Sequence, residues 1–388
     1  MKWLARICSL PLALLALAAA WLAVAPFTPR IPYWGAGSLI SPEYIGPVLL
    51  ISLAVLAVSA ALSFASKANV VPAAVAALAA VASGALLATQ VAGAREMGTD
   101  VDVAAALSWD GLEKTDRGPD ATVAYDTHDG DDLDVDVYEP GAGGNHPVLL
   151  YVHGGGWNQM NRRSQAYNMR AMADAGYVVA SIDYTLARPG HPTWDTAARE
   201  VGCALSWVGS HARDYGGDPG RLFAYGESAG GQLVLNASYD AAAGTLPSDC
   251  GGAPAVPRAV YVDSPALDIR HVYSAGDPYA GQGSKDTAVR YLGDTPDGVP
   301  ERADFVTSAN HITDASQPTM IVRSDHDRLV PPASYDAFRA AAREHGVALT
   351  EQVRRHADHA SALSAHGVWN QNLLATMQRF FAENGADA

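Results

Sequence analysis

The stretch that decides the fold is Tyr225-Gly226-Glu227-Ser228-Ala229-Gly230-Gly231. It follows the run RLFAY at 221–225, which is typical of a strand, and it precedes a run at 232–243 with the pattern of a helix. Gly-x-Ser-x-Gly between a strand and a helix makes a sharp turn, in which small neighbours leave room for a strained, exposed serine at a helix N-terminus. The sequence therefore predicts a nucleophile elbow centred on Ser228.

A glycine-rich loop lies upstream of this turn. The apolar run PVLLYV at 147–152 is typical of a buried parallel strand, and it ends in HGGGW at 153–157. Three consecutive glycines let backbone N–H groups turn toward a site without obstruction by side chains. We predict that this loop and the residue after the serine supply oxyanion-hole donors, the alternative being a flexible linker. The predicted donors are Gly154, Gly155, Gly156 and Ala229.

Two later loops supply candidates for an acid and a base. The strand-like run at 317–322 leads into RSDHDRLVPP, where Asp327 is the predicted acid and Asp325 the alternative. The loop after the next predicted strand contains HADH, where His359 is the predicted base and His356 the alternative. In the order Ser, Asp, His, a neutral imidazole takes the serine proton and the carboxylate fixes the tautomer of the imidazole.

The preference within each pair depends on the neighbouring residues. Asp327 precedes an apolar Leu-Val pair that can hold the carboxylate above the end of the sheet, and Asp325 has no such anchor. His359 is followed by small residues that leave space for its ring. His356 follows two arginines and is predicted to be solvated.

Together these motifs resemble the α/β-hydrolase superfamily, and most of all the hormone-sensitive-lipase-like and feruloyl-esterase-like carboxylesterases. The resemblance covers about residues 120–385 and is carried by HGGGW at 153–157, GESAGG at 226–231, SDHDRLVP at 324–331 and ADHA at 357–360. It implies an α/β fold with a mostly parallel sheet and helices on both faces. It also implies a serine esterase that cleaves carboxylic esters through an acyl-enzyme. An acyltransferase shares that intermediate, and a catalytically silent binding domain on the same fold is the alternative from another class.

Three features are less well defined by the family pattern. Trp157 and Tyr184 are candidates for pocket walls that bind substrate, with ordinary core packing as the alternative. The chain departs from the pattern at Ser324, where glycine is usual, and at 185–189, where TLARP replaces RLAPE. The stretch 264–310 has no long periodic element and is predicted to be a lid or a surface loop.

Residues 1–94 predict an all-α membrane region with three transmembrane helices. Three apolar runs, at 3–25, 47–64 and 70–92, each come near the roughly 20 residues that cross a bilayer. A soluble helical hairpin is the alternative. Residues 95–119 are predicted to be a linker.

Basic residues set the predicted orientation of this region. Lys2 and Arg6 hold the N-terminus in the cytoplasm and Lys67 holds the second hinge there, while Arg30 in the first loop is the exception. The rest of the chain is then extracytoplasmic, in a multi-pass membrane protein. Ala23-Val24-Ala25 matches a signal-peptide cleavage pattern, and cleavage would leave the hydrolase domain on the same side.

Charge separates the predicted domains. Residues 1–94 carry a net charge of +3, so the remainder carries −18 of the total of −15. Such an acidic domain argues against nucleic acid as a partner. The expected partners are a small-molecule or cell-envelope ester and the lipid bilayer, and the sequence does not define an oligomeric state.

The domain at 120–388 has the rhythm of an α/β protein. After a hairpin at 122–138, predicted strands alternate with helical stretches and lie at 148–152, 177–183, 221–225, 259–263, 318–322 and 348–353. The aspartates at 129–136 alternate with apolar residues, which favours a half-exposed strand with its carboxylates facing outward over a calcium loop. No metal or cofactor is expected. Cys203 and Cys250 form either a disulfide in an oxidising compartment or two free thiols.

Overall fold

An eight-stranded sheet in the order β1-β2-β4-β3-β5-β6-β7-β8 is the central element of the fold. The computed structural model describes residues 2–141, 143–246, 250 and 252–387. The strands are β1 Ala121–His128, β2 Asp131–Tyr138, β3 His146–Val152, β4 Val178–Ile182, β5 Gly217–Glu227, β6 Val260–Asp263, β7 Thr319–Ser324 and β8 Leu349–Arg354. Each predicted strand is confirmed, with its ends shifted by a few residues.

The sheet is mixed at one edge and parallel through its middle. β1 pairs antiparallel with β2, and β2 pairs antiparallel with β4, whereas β4, β3, β5, β6 and β7 are mutually parallel neighbours. The middle strands are buried on both faces, which explains their continuous apolar sequences. In register, Val152 at the end of β3 lies beside Gly226 of β5, so the glycine loop and the serine turn leave the same edge of the sheet.

Residues 131–136 of the acidic stretch belong to β2, and their apolar side chains are buried, as predicted. The prediction that the carboxylates all face outward is wrong for Asp136, whose side chain is fully buried. Arg162 Nε and Arg163 Nε donate to its two carboxylate oxygens at 2.9 and 3.0 Å. Burial of this carboxylate is tolerated because both oxygens are paired with charged donors.

Eight helices of the described residues follow β1 in the chain and pack with the sheet. They are α5 Ala166–Asp174, α6 Thr196–His211, α7 Ser228–Ala243, α8 Ile269–Tyr273, α9 Gly281–Leu292, α10 Pro300–Val306, α11 Asp336–Glu344 and α12 Val368–Glu383. α7 begins at the serine itself, four residues before the predicted start. The stretch 264–310 contains α8, α9 and α10, and α9 buries Ala288, Tyr291 and Leu292 in the core, which the short apolar pattern did not reveal.

The N-terminal region consists of helices α1 Lys2–Ile7, α2 Ser9–Val24, α3 Ile45–Ser63 and α4 Val70–Glu96. Three segments are long and apolar enough to cross a membrane by length and composition: Ala5–Phe27, Ile45–Ser63 and Lys67–Glu96. Ala16, Val55 and Ala76 pack between these helices. Large apolar side chains such as Leu14, Leu53 and Val81 are exposed instead.

Internal contacts divide the chain into two units. The larger unit comprises Leu112–Arg323, Asp327–Val353 and Leu374–Ala388. The smaller unit comprises Met1–Gly111 and two short returns of the chain, Ser324–His326 and Arg354–Leu373. The segment after β8 that contains both candidate histidines therefore belongs to the same unit as the N-terminal helices. The predicted domain boundaries at 94 and 120 stay predictions.

Candidate active site

The serine turn has the strained backbone of an elbow. Ser228 is the first residue of α7 and has φ of +52°, a left-handed conformation that non-glycine residues rarely adopt. A Cβ on Gly226 would collide with the carbonyl oxygen of Gly230, and a Cβ on Gly230 would collide with the carbonyl oxygen of Val152. Both glycines are therefore required by close backbone contacts within and beside the turn.

The glycine loop passes directly beside this turn. A Cβ on Gly154 would lie 3.1 Å from the carbonyl oxygen of Glu227 and 3.3 Å from Ser228 Cβ, so glycine relieves a tight contact between the loop and the turn. Gly155 and Gly156 both have positive φ, +96° and +58°. Glycine adopts such conformations without the steric cost that a Cβ brings.

Three of the four predicted oxyanion donors are available. Among the described residues, the N–H groups of Gly155, Gly156 and Ala229 have no hydrogen-bond acceptor. The N–H of Gly154 differs, because it donates to Glu227 Oε1 at 3.4 Å. The same oxygen accepts the hydroxyl of Tyr151 at 2.9 Å. Glu227, the residue before the serine, was not assigned by the sequence analysis; its side chain links the serine turn to the glycine loop.

Tyr184 packs against the start of the glycine loop. Its hydroxyl donates to the carbonyl oxygens of His153 and Gly154 at 3.1 and 3.2 Å. Its ring stacks on the His153 imidazole, with centroids 4.4 Å apart. Burial lowers the pKa of His153 to about 4, so this imidazole is neutral at neutral pH.

Trp157 closes the other end of the loop. Its Nε1 donates to Gln232 Oε1 at 3.0 Å, and its ring stacks on Tyr291 with centroids 4.3 Å apart. Trp157 and Tyr184 are 1% and 2% exposed. Of the two roles considered for these aromatics, the structure favours core packing that holds the loop, and contact with a substrate stays a prediction.

The two candidate acids have different surroundings. In the larger unit, Asp327 is buried, and its Oδ1 accepts the N–H groups of Leu329 and Val330 at 3.0 and 2.7 Å. Val330 belongs to the hydrophobic core and Leu329 packs against it, as the predicted anchor requires.

Asp325, in the smaller unit, is committed to the backbone of the histidine segment. Its Oδ2 and Oδ1 accept the N–H groups of His356 and Ala357 at 3.1 and 3.2 Å. His326 Nδ1 lies 2.7 Å from Oδ1. Burial would raise the pKa of this carboxyl, but the hydrogen bonds from His326, His356 and Ala357 outweigh it and hold the pKa below its usual range.

The two candidate histidines both lie in the smaller unit. His359 is half-buried, and its backbone N–H donates to Asp358 Oδ1 at 2.8 Å. The prediction that His356 is solvated is wrong. Its ring lies 5.1 Å from that of Phe27 and runs nearly parallel to that of His326, and its backbone has φ of +52°.

A family comparison fits this arrangement of motifs. Residues 135–341, more than half of the chain, match the BD-FAE family model. The chain belongs to the BD-FAE family.

Curated relatives extend the comparison. The chain is 36% identical to the carboxylesterase NlhH of Mycobacterium tuberculosis over 155 residues, which are 39% of this chain and 46% of that protein. It is 29% identical to the esterase LipQ of the same organism over 227 residues, 56% of this chain and 51% of that protein. The chain spans about half the length of the curated relatives it matches.

A solved structure shows the same fold. Esterase 2 of Thermogutta terrifontis, in a form phosphonylated by sarin, superposes with a TM-score of 0.57 at 20% identity. The match covers 69% of this chain and 95% of that one. This BD-FAE chain therefore has an α/β-hydrolase fold, as the resemblance implied.

One departure of this BD-FAE chain from the family pattern has a structural explanation. The hydroxyl of Ser324, which stands where glycine is usual, donates to the carbonyl oxygen of Asp358 at 2.8 Å. The side chain therefore supports the segment that contains the candidate histidines. Sequence analysis recognised the substitution but not its partner, because 34 residues separate the two in the chain.

The cysteine pair is also settled. Cys203 and Cys250 form a disulfide, with Cα atoms 5.2 Å apart. Asp126 offers a carboxylate near both sulfurs, the kind of grouping that holds a metal. Because a disulfide removes both thiolates, these residues do not form a metal site in this state.

Proposed function

We propose that the protein is a membrane-anchored serine hydrolase that cleaves carboxylic esters through an acyl-enzyme. The observation that carries this proposal is the strained Ser228 at the start of α7, flanked by the unoccupied N–H groups of Gly155, Gly156 and Ala229. A serine at such a turn is the expected nucleophile, and backbone N–H groups beside it are the kind of donor that stabilises an oxyanion. The relatives named carboxylesterase and esterase support the same class of reaction.

In the proposed mechanism, Ser228 Oγ attacks the carbonyl carbon of the ester while His359 takes the hydroxyl proton. The oxygen of the tetrahedral intermediate accepts hydrogen bonds from the glycine loop and Ala229. When the intermediate collapses, the ester C–O bond breaks and His359 returns the proton to the leaving alcohol.

Deacylation repeats these steps with water as the nucleophile. His359 removes a proton from water, the hydroxide adds to the acyl carbon, and the bond to Ser228 breaks with return of the proton to the serine. Asp327 orients the imidazole and stabilises its protonated form throughout. The anchored carboxylate of Asp327, with two backbone donors on one oxygen, supports this assignment over Asp325.

Two observations support membrane anchoring with the hydrolase outside the cytoplasm. The N-terminal helices bury small residues between them and expose large apolar side chains, which is the arrangement expected in lipid rather than in water. The Cys203–Cys250 disulfide favours an oxidising compartment. Protease added to intact cells is expected to remove the hydrolase domain, and its full protection would contradict the orientation.

The mechanism is tested with Ser228→Ala in the full-length protein, with Ser238→Ala on the same helix as the matched control. Hydrolysis of a short p-nitrophenyl ester is expected to fall at least about a thousandfold in the first variant and to change little in the second. A fluorophosphonate probe is expected to label the parent protein and Ser238→Ala only. The phosphonylated Thermogutta terrifontis esterase supports this choice of probe. Unchanged turnover or labelling in Ser228→Ala would refute the proposal.

A further inference from the structure

The connection between α2 and α3, residues 25–44, contacts the segment that contains His359 at three places within the smaller unit. We call this connection the first loop. The central contact joins two buried polar side chains. Ser38 Oγ donates to Asp358 Oδ2 at 2.9 Å, and the two residues are 2% and 0% exposed.

Asp358 also contacts the neighbouring histidine. Its other carboxylate oxygen, Oδ1, accepts the backbone N–H of His359 at 2.8 Å. One carboxylate therefore bridges the first loop and the backbone of the predicted base. A buried carboxylate is costly unless its oxygens are hydrogen-bonded, so Ser38 contributes directly to the stability of this conformation.

Two further contacts flank the bridge. The ring of Phe27 packs against that of His356, three residues before His359, with centroids 5.1 Å apart. Glu43 Oε2 accepts the backbone N–H of Ser364 at 3.1 Å, five residues after His359. Glu43 is only 3% exposed, so this second carboxylate is also buried against the histidine segment. The first loop thus fixes the segment before, beside and after the histidine.

We propose that the first loop positions His359 for catalysis, so that the membrane region is a working part of the active site as well as an anchor. Ser38 is the central positioning residue. This inference rests on the proposed role of His359 as the base. Displacement of a catalytic group by about 1 Å is enough to cost roughly a hundredfold in rate, so a loosened histidine segment slows the chemical step.

The test compares two buried serines of the first loop in the full-length protein in detergent micelles. Ser38→Ala removes the donor to Asp358. Ser41→Ala is the matched control, because Ser41 is 1% exposed and its hydroxyl has no hydrogen-bond partner among the described residues. We expect Ser38→Ala to lower kcat about tenfold to a hundredfold with KM within about twofold, and Ser41→Ala to leave both unchanged.

Two more variants separate positioning from general stability. Ser38→Thr keeps the hydroxyl and is expected to recover most of kcat. Asp358→Asn keeps the size of the side chain, but its single carbonyl oxygen cannot replace the two carboxylate oxygens that accept from Ser38 and His359. This variant is expected to show the same loss of kcat, and it tests the inference independently if Ser38→Ala folds poorly. Equal kcat in Ser38→Ala and Ser41→Ala, or normal kcat in Asp358→Asn, would overturn the inference.

His359→Ala, measured in parallel, distinguishes the inference from the proposed function. An inactive His359→Ala with normal Ser38→Ala and Asp358→Asn refutes the positioning role alone. An active His359→Ala refutes the assignment of the base, and the inference falls with it.

Discussion

Ser228 and His359, the proposed nucleophile and base, are supported in different ways. The serine turn is held by its own glycines and by the end of the neighbouring strand, where Gly230 packs against Val152. The histidine segment is held by side chains far away in the sequence. The hydrogen bonds from Ser38 to Asp358 and from Ser364 to Glu43 span 320 and 321 residues.

This difference has a functional consequence. A turn supported by local contacts keeps its geometry wherever its strand and helix form. A segment supported by a distant loop keeps its geometry only when that loop is folded. Substitutions in the N-terminal region are therefore expected to disturb the position of His359 more than that of Ser228.

The largest expected effect tests which histidine of the segment is the base. His359→Ala is expected to lower kcat at least about a thousandfold, because no group then removes the serine proton. His356→Ala is expected to retain activity within a fewfold, because His356 packs against Phe27 and has a supporting role. Rates on a short p-nitrophenyl ester provide the measurement. The reverse pattern would move the base by three residues and leave the reaction class intact.

A smaller effect is expected for the two aspartates. Asp327→Asn is expected to lower kcat about a hundredfold or more, because the amide no longer stabilises the imidazolium. Asp325→Asn is expected to keep most of the activity. It should lower the free energy of unfolding by about 1–3 kcal/mol, since the amide cannot accept from both His356 and Ala357 N–H groups as the carboxylate does.

Kinetics and thermal unfolding of the two aspartate variants, measured side by side, distinguish these roles. Loss of activity in Asp325→Asn at unchanged stability would exchange the two assignments. It would also mean that the apolar anchor after Asp327 is not what places the acid.

The parts of the site that were predicted are those whose causes lie close together in the sequence. The strand, the turn and the helix around Ser228 each carry a local pattern, and the strained φ of the serine follows from the flanking glycines. The start of α7 is predicted four residues too late, because the glycines of the motif are poor helix formers in isolation.

The parts that were not predicted depend on partners distant in the chain. His356 looked solvated beside Arg354 and Arg355, but Phe27, more than 300 residues earlier, covers its ring. Asp136 looked exposed by alternation, but two arginines from a later loop bury it. The hydroxyl of Ser38 has no local signal at all. Pairing of polar groups across such distances follows from the completed fold.

The last expected effect is on stability and not on turnover, and it concerns pH and the serine side of the comparison. Burial lowers the pKa of His153, beside the glycine loop, to about 4, against about 6.5 in an unfolded chain. Below pH 6.5 the unfolded chain therefore binds a proton that the folded protein does not bind until about pH 4. The free energy of unfolding should fall across that window by about 3 kcal/mol from this group and level off below it.

His153→Phe removes the titrating group and keeps a ring against Tyr184, so it is expected to weaken the acid-dependent loss of stability between pH 6.5 and 4. His191→Phe, at an exposed histidine, is the matched control and should follow the parent protein. The measurement is the unfolding midpoint in denaturant at pH values across the window. If His153→Phe lost stability as steeply as the parent, the neutral imidazole would not be what makes the support of the glycine loop sensitive to acid. The serine turn and the glycine loop, which are held by their glycine contacts, would then not depend on the protonation of His153.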